Sequence, residues 1–473
     1  MFFQNLSRFN QQIAAIEGNL SITYAQLAQA QQDTKSQIQH SIGDAGQLVF
    51  IKAYNGLSTL VVYLATLESQ HCAVLLDPNI KEADLTRLVE QFRPAMIAHC
   101  EAAQQLRLEL VDPLPTPNTL GNVGVLLSTS GSTGSAKHVA LSKENLNANA
   151  QSICRYLPIK TTDVTLCALP FHYSYGLSVI NSHLNQGACC VFSNASPVSR
   201  EYWQLFDEHH IASFAGVPFS YELLLRLRFT QKKLPHLRYF TQAGGKLAAE
   251  HVVALANYAA KNDKQFFVMY GQTEATARMS YLAPDKVLDI PESIGQPIPD
   301  GEFKLVAQSG IQIDDADTQG ELYYKGPNVM LGYVSCRQDI TDLASLENKQ
   351  PKWLATGDLG YRNRQGDYFI NGRKSRFLKL AGQRLDLDDS ERLLQKAGFN
   401  AKCTGNDNNL LVGVINGQRD VNLIQEIKAW LHQHLGLHPT KVQVLPLTTF
   451  PANANGKMDY AALSQLAEVS IDD

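Results

Sequence analysis

Several features that would place a protein quickly are missing from this 473-residue sequence. Its eight cysteines, at 72, 100, 154, 167, 189, 190, 336 and 403, include no C-x-x-C spacing. That argues against a zinc ribbon or a thioredoxin-like motif. Buried reduced thiols are expected, among them the vicinal pair Cys189–Cys190 in the apolar run 188–192. An excess of one charge is missing too. With 41 basic and 45 acidic side chains the net charge is −4, which leaves no electrostatic footprint for nucleic acid or an anionic membrane surface. Long apolar runs are also lacking. The best stretch, Leu57 to Leu67, is interrupted by Ser58, Thr59 and Tyr63, and is well short of the ~20 residues a spanning helix needs. Residues 1–12 show no basic segment leading into an apolar one, so no secretory signal is expected and a cytoplasmic location is the default. The N-x-Ser sequons at Asn5, Asn19 and Asn194 then carry little weight. What remains is ordinary globular composition, 44% hydrophobic and 18% charged, in a chain long enough for roughly two to four domains of ~100–200 residues.

Short β-branched or apolar runs alternate with helix-like segments over most of the chain. Residues 47–51, 73–76, 95–98, 124–128 and 165–169 read as strands, and 82–91, 143–156 and 249–260 as helices. This alternation predicts an α/β fold with largely parallel sheets. After about residue 300 the texture becomes short strands (303–306, 321–324, 368–370) separated by Gly, Asp and Asn turns. An α+β pattern follows: strand 410–415, helix 423–435, strand 442–444. The polar run 371–376 marks a boundary. The expected division is therefore a 1–373 domain and a 374–473 domain, joined near Ser375.

The most informative segment is Ser128-Thr129-Ser130-Gly131-Ser132-Thr133-Gly134-Ser135-Ala136-Lys137. It follows an apolar run and precedes a helix. Two glycines allow a tight turn and close approach of the backbone to an anion. Hydroxyls and amides can donate to phosphate oxygens, and Lys137 adds charge. It is not a Walker A loop, because Gly131 and Gly134 are too close and Lys137 is followed by His138. A P-loop kinase or ATPase is disfavoured on that ground.

This string resembles the phosphate loop of the adenylate-forming superfamily: acyl- and aryl-CoA synthetases, peptide-synthetase adenylation domains and luciferases. Further matches follow in the family's order across nearly the whole chain. They are Thr23-Tyr24 with Leu27, Leu76-Asp77-Pro78, Leu169-Pro170-Phe171-His172, Ala243-Gly244-Gly245 and Tyr270-Gly271-Gln272-Thr273-Glu274. Then come Gly320-Glu321-Leu322 with Gly332-Tyr333, Thr356-Gly357-Asp358, Gly372-Arg373, Gly382-Gln383-Arg384 and Asn455-Gly456-Lys457. The resemblance implies a large N-terminal domain of several subdomains, with mixed and parallel sheets and a distorted barrel. It also implies a small mobile α+β C-terminal lid.

The implied chemistry is attack of a carboxylate on the α-phosphorus of ATP, with pyrophosphate leaving. Both reactants are anions, so the site must hold them in line and neutralise charge. By resemblance, Thr129 to Gly134 with Lys137 cradle phosphate. Gly244, Gly245, Tyr270, Gly271 and Gln272 form the nucleotide platform, and Thr273 lies near the α-phosphate. Glu274 would bind Mg²⁺ through one carboxylate, the sparse ligation this ion shows beside phosphates. Asp358 would accept the ribose hydroxyls, with Arg373 reaching the ribose or α-phosphate. Lys457, on an Asn- and Gly-rich turn, would bridge the substrate carboxylate and the α-phosphate. Phe171, His172, Tyr175, Gly216 and Val217 would line the acid pocket. A lone His between aromatics is ordinarily a hydrogen-bonded structural residue, so acid–base chemistry is not expected of His172.

Some positions depart from the family. Ser375 stands at the hinge where Asp or Lys is usual. Ala381-Gly382 replaces two adjacent glycines in the loop that lines the thiol tunnel in relatives. Asp389 and Glu391 occupy the place of two glutamates. Peptide-synthetase domains carry an Asp directly after the matching Phe to pair the substrate ammonium, and here that position is His172. A small carboxylic acid without an α-ammonium is therefore expected, with CoA or the phosphopantetheine of a separate acyl carrier protein as acceptor. Leu76-Asp77-Pro78, however, is reminiscent of the amino-acid-activating branch, which keeps a stand-alone amino-acid-activating protein as the alternative. A noncatalytic nucleotide-binding scaffold is a third reading, against which the intact Lys137, Glu274, Asp358 and Lys457 speak.

Overall fold

The computed structural model describes the chain except residues 103, 113–114, 116–119, 129–136, 346–352, 375, 381–382, 407, 416–420, 454–455 and 470–473. The described residues pack as two units: Met1–Phe303 with Tyr324–Leu354, and Lys304–Tyr323 with Ala355–Asp473. Residues 304–323 and 355–373, which sequence texture groups with the first domain, thus pack in the second unit. The reason is strand pairing: Leu354–Arg362 runs antiparallel to Tyr368–Arg373, and that hairpin leads straight into the C-terminal elements.

The first unit is built on two sheets. One orders the strands Gly332–Val334, His138–Ser142, Val123–Ser128, Cys72–Leu76, Leu48–Lys52, Met96–Cys100 and Leu106–Leu110. Its central strands are parallel and buried on both faces, which is why they read as unbroken apolar runs rather than alternating ones. The other sheet contains a parallel core of Ser213–Gly216, Tyr239–Gln242 and Gln265–Tyr270, flanked by Val164–Cys167 and Cys189–Phe192. Brought side by side, the C-terminal ends of these strands carry Gly216, Gly244 and Tyr270. Open α/β sheets bind ligands at such ends.

Local signals explain the helices. Thr23 opens Tyr24–Ile42 and Ser142 opens Lys143–Tyr156, each with a reciprocal capping box. The apolar stretch at 57–67 is the helix Leu57–Glu68, buried nearly throughout, which accounts for its all-round hydrophobicity. Among the described residues no helix is long and apolar enough to cross a membrane. All eight cysteines are free, and six of them, including Cys189 and Cys190, are buried.

The second unit carries the three-stranded sheet Ala401–Gly405, Leu410–Ile415 and Val442–Leu447. It is backed by the helices Leu387–Lys396, Val421–Leu435 and Tyr460–Val469. Its core is separate, centred on Leu394, Val412, Ile427 and Leu431.

Candidate active site

In the first unit the site is organised around the turn after the strand Gln265–Tyr270. The chain closes into a short 3-10 turn, Thr273–Ala275, then passes through left-handed conformations at Thr276 (φ 54°) and Ala277 (φ 91°). Gly271 is required there, because a Cβ at that position would lie 1.5 Å from the carbonyl oxygen of Ala277. Asn328 holds the bend by donating to the carbonyls of Ala275 (2.7 Å) and Arg278 (3.0 Å), while Thr276 Oγ1 donates to Asn328 O at 2.6 Å. Strained backbone kept in place by surrounding bonds is characteristic of functional turns.

This turn presents the predicted residues in order. Thr273 Oγ1 lies 3.0 Å from Ser174 Oγ, at the start of the helix Ser174–Gln186. Glu274 is half-buried, and its Oε1 accepts a hydrogen bond from Tyr333 Oη at 2.7 Å. Lys137 Nζ lies 5.8 Å from the centroid of the same Tyr333 ring. Tyr333 thus gathers the predicted metal ligand and the predicted phosphate lysine, and Gly332–Val334 pairs directly with the strand that Lys137 precedes. One Glu274 oxygen is fixed and the other has no described partner, which suits Mg²⁺ bound by a single carboxylate beside substrate phosphates. Among the described residues no three-residue His, Cys, Asp or Glu cluster competes as a metal site. Thr129, Ser130, Gly131, Ser132, Thr133 and Gly134 lie outside the described residues.

Gly244 sits at φ +86°, and a Cβ there would meet Tyr173 Oη at 2.4 Å. Gly245 O accepts from Gln242 Nε2 at 2.8 Å. Gly216 and Val217 close the neighbouring strand and are buried, with Tyr221 against Gly216. Tyr175 is buried and its hydroxyl bonds Thr241 Oγ1 at 2.8 Å. Phe171 packs into the core, stacked on Phe192 at 5.4 Å and edge-on to Tyr63 at 6.3 Å.

His172 is mostly enclosed. Its Nε2 lies 3.9 Å from Asp77 Oδ2, and its buried Nδ1 has no hydrogen-bond partner. Burial lowers its pKa, with Asp77 opposing. The Leu-Asp-Pro segment and the residue after Phe171 are far apart in sequence, so their meeting is a tertiary result.

In the second unit, Asp358 pairs with Arg373 across the hairpin, and Arg373 Nε donates to Asp358 Oδ1 at 2.9 Å. Asp358 is nearly fully buried while Arg373 is exposed, so the guanidinium offsets a carboxylate that would otherwise be costly to bury. Lys457 stands at the end of a tight turn. Asn453 N donates to Lys457 O (2.8 Å), Lys457 N donates to Asn453 Oδ1 (3.0 Å), and Gly456 sits at φ 70°. Asp388 accepts from Arg373 N at 2.8 Å and also bonds Arg376, so one carboxylate engages residues on both sides of position 375. Glu391 accepts from Arg376 at 2.8 Å and from Cys403 N at 2.9 Å. Ser375, Ala381 and Gly382 lie outside the described residues.

In the first unit Thr273 and Glu274 thus stand on a strained turn that follows a central parallel strand of an α/β fold. The chain belongs to the AMP-binding enzyme family, whose model matches residues 2–334. It is similar over 97% of its length to vanchrobactin synthetase VabF of Vibrio anguillarum, at 24% identity, but covers 18% of that protein. The chain likewise covers 47% of the anguibactin system regulator of the same species, at 24% identity. A relative of its own size is the D-alanine–D-alanyl carrier protein ligase of Bacillus licheniformis, 23% identical, with 96% of each chain covered. The fold matches that of O-succinylbenzoate coenzyme A synthetase (MenE) from Bacillus subtilis in complex with AMP. The TM-score is 0.77 at 21% identity, over 97% of this chain and 96% of that one.

Proposed function

We propose that this protein activates a small carboxylic acid as its acyl-adenylate, consuming ATP and releasing pyrophosphate. It then passes the acyl group to the thiol of CoA or of a carrier-protein phosphopantetheine. The observation that carries this reading is the Thr273–Glu274 turn with its Tyr333 brace, in a chain that belongs to the AMP-binding enzyme family. Glu274 would hold Mg²⁺, which when bound offsets charge on the phosphate oxygens. Thr273, positioned by Ser174, donates toward the α-phosphate. Lys137 and the glycine-rich loop neutralise the departing pyrophosphate. Asp358 and Arg373 orient the ribose. Lys457 brings the last positive charge between the carboxylate and the α-phosphorus, and the Gly456 turn sets its backbone.

The lid is proposed as 374–473, turning near Ser375 so that adenylation and thiol transfer use different faces. Lys457→Ala is expected to lower adenylate formation by roughly 10²–10³, the range for losing one preorganised electrostatic contact. Thioester formation from presupplied acyl-adenylate should survive. Pyrophosphate exchange and single-turnover transfer measure the two steps, and equal loss of both would refute a rotating lid.

One observation favours a second reading, activation of an amino acid. Asp77 places a carboxylate beside His172, near where peptide-synthetase domains pair the substrate ammonium. Pyrophosphate exchange with acid and amino-acid panels separates the two.

A further inference from the structure

The turn that carries Thr273 and Glu274 has a conformation its own residues resist. Thr276 is β-branched and sits at φ 54°, and Ala277 follows at φ 91°. Left-handed backbone is a steric outlier at a β-branched residue and unfavourable at alanine, so it persists only where surrounding bonds over-determine it. Asn328 supplies such bonds from a different stretch of chain. It is 1% exposed, and its Nδ2 donates to the carbonyls of Ala275 and Arg278, the residues on either side of the left-handed pair. Both partners are acceptors, so an amide NH₂ fits between them where an ionised Asp or a Leu of similar size would not.

The orientation of that amide is itself fixed. Tyr324, also fully buried, donates from Oη to Asn328 Oδ1 at 2.8 Å. A Cβ at Gly326 would come within 2.6 Å of both oxygens, so the absent side chain leaves room for their bond. The backbone of the same stretch adds further ties: Thr276 Oγ1 donates to Asn328 O, and Met330 N donates to Glu274 O at 2.8 Å. Thr273 and Glu274 stand just before the left-handed pair. Their 3-10 turn is closed by Thr276 N donating to Thr273 O and Ala277 N donating to Gln272 O, each at 3.0 Å. If 276–277 relaxed to right-handed backbone, the chain would change direction there. Thr273 would leave Ser174, and Glu274 would leave Tyr333.

We propose that Asn328, backed by Tyr324, is a positioning residue for adenylation. It stabilises the left-handed backbone at 276–277, and that backbone sets where Thr273 and Glu274 stand. This rests on the acid-adenylating reading. Asn328 acts through the turn and touches no reacting atom.

The test compares full-chain variants in three measurements: ATP–pyrophosphate exchange, thioester formation from presupplied acyl-adenylate, and hydrogen exchange of residues 271–279. Asn328→Ala should lower kcat for exchange by about 100-fold, the cost of displacing a catalytic group by ~1 Å. Tyr324→Phe drops only a hydroxyl and should lose about tenfold in the same direction. Thioester formation involves neither Mg²⁺ nor pyrophosphate and should change by less than about threefold. Hydrogen exchange should accelerate in 271–279 and not in the strand Leu48–Lys52. The deciding arm adds Ala277→Gly to Asn328→Ala. Glycine adopts positive φ without strain, so the double variant should regain roughly tenfold of the lost exchange. No recovery, or equal loss of exchange and thioester formation, makes Asn328 an ordinary core residue. Either result overturns the inference and leaves adenylation intact. Should Asn328→Ala fail to fold, Tyr324→Phe with and without Ala277→Gly makes the same comparison. Absence of exchange by the wild type with every acid refutes adenylation itself, and this inference with it.

Discussion

Glu274 and Tyr333 are 59 positions apart in sequence, and their 2.7 Å contact fixes one oxygen of the proposed metal ligand. A carboxylate held by one oxygen loses less rotamer freedom when it captures a cation, so the cost of binding is lowered in advance. Tyr333→Phe removes the hydroxyl and keeps the ring near Lys137. The expected outcome is a several-fold higher Mg²⁺ concentration for half-maximal exchange, with activity at saturating Mg²⁺ largely retained. A magnesium titration of both proteins checks it, and an unchanged midpoint would show that the bond does not position Glu274. The Tyr of Gly332-Tyr333 was legible as a family match, but its task was not. Nothing in the local sequence says that its hydroxyl reaches Glu274. Asn328 is similar: between Pro327 and Val329 it reads as an ordinary turn residue, and its hold on Ala275 and Arg278 is a tertiary fact.

Between elements, His183 pins the helix Ser174–Gln186 to the sheet. It is buried, with Nδ1 2.7 Å from Val179 O, and Nε2 3.0 Å from Tyr239 Oη and 3.3 Å from Ser213 Oγ. Burial lowers its pKa from 6.5 to about 4, with the Val179 bond and Asp163 opposing. The sign follows directly. Above pH ~6.5 both folded and unfolded chains carry the neutral ring, and His183 gives no pH dependence. As pH falls toward about 4, the unfolded chain takes up a proton that the fold excludes. Stability therefore drops, by up to about 3 kcal/mol for this group. Denaturant unfolding between pH 7 and 4.5 should show a shallower decline in His183→Gln than in the wild type. Parallel curves would remove His183 from the acid sensitivity. The same helix carries Ser174, so what fixes its seat also fixes the partner of Thr273.

At the scale of the whole molecule, the second unit has a core of its own and a polar anchor at its entry. Arg376, 18% exposed in its side chain, bonds Asp388, Glu391 and the carbonyl of Cys403, and lies 3.9 Å from the Tyr460 ring centroid. Lys402 and Tyr460 complete the shell of Glu391. Removing the guanidinium takes one cation from both carboxylates while Lys402 stays beside Glu391, so the cost lies below the roughly 3–5 kcal/mol of an uncompensated buried charge. In Arg376→Met, hydrogen exchange should accelerate in the strands Ala401–Gly405 and Leu410–Ile415, with the helix Ser174–Gln186 unchanged. Equal acceleration in both would mean that the anchor does not belong to the second unit alone.

Periodicity and punctuation located most elements directly. Lys143–Tyr156 and Leu410–Ile415 match the residues read from apolar pattern and caps, and the buried parallel strands announce themselves as unbroken apolar runs. The helices Leu57–Glu68 and Ser174–Gln186 were not legible, because a helix buried on nearly all sides has no polar face to set its period. Motif order was sufficient for the family and for naming Thr273, Glu274, Asp358 and Lys457 as candidates, since local backbone geometry and side-chain chemistry are written in adjacent residues. The pairing of Tyr333 with Glu274, the approach of Asp77 to His172, and the hold of Asn328 on the turn came from tertiary structure alone. Each joins segments or environments that only packing brings together, and the free energy of a buried charge depends on what surrounds it rather than on its neighbours in the chain.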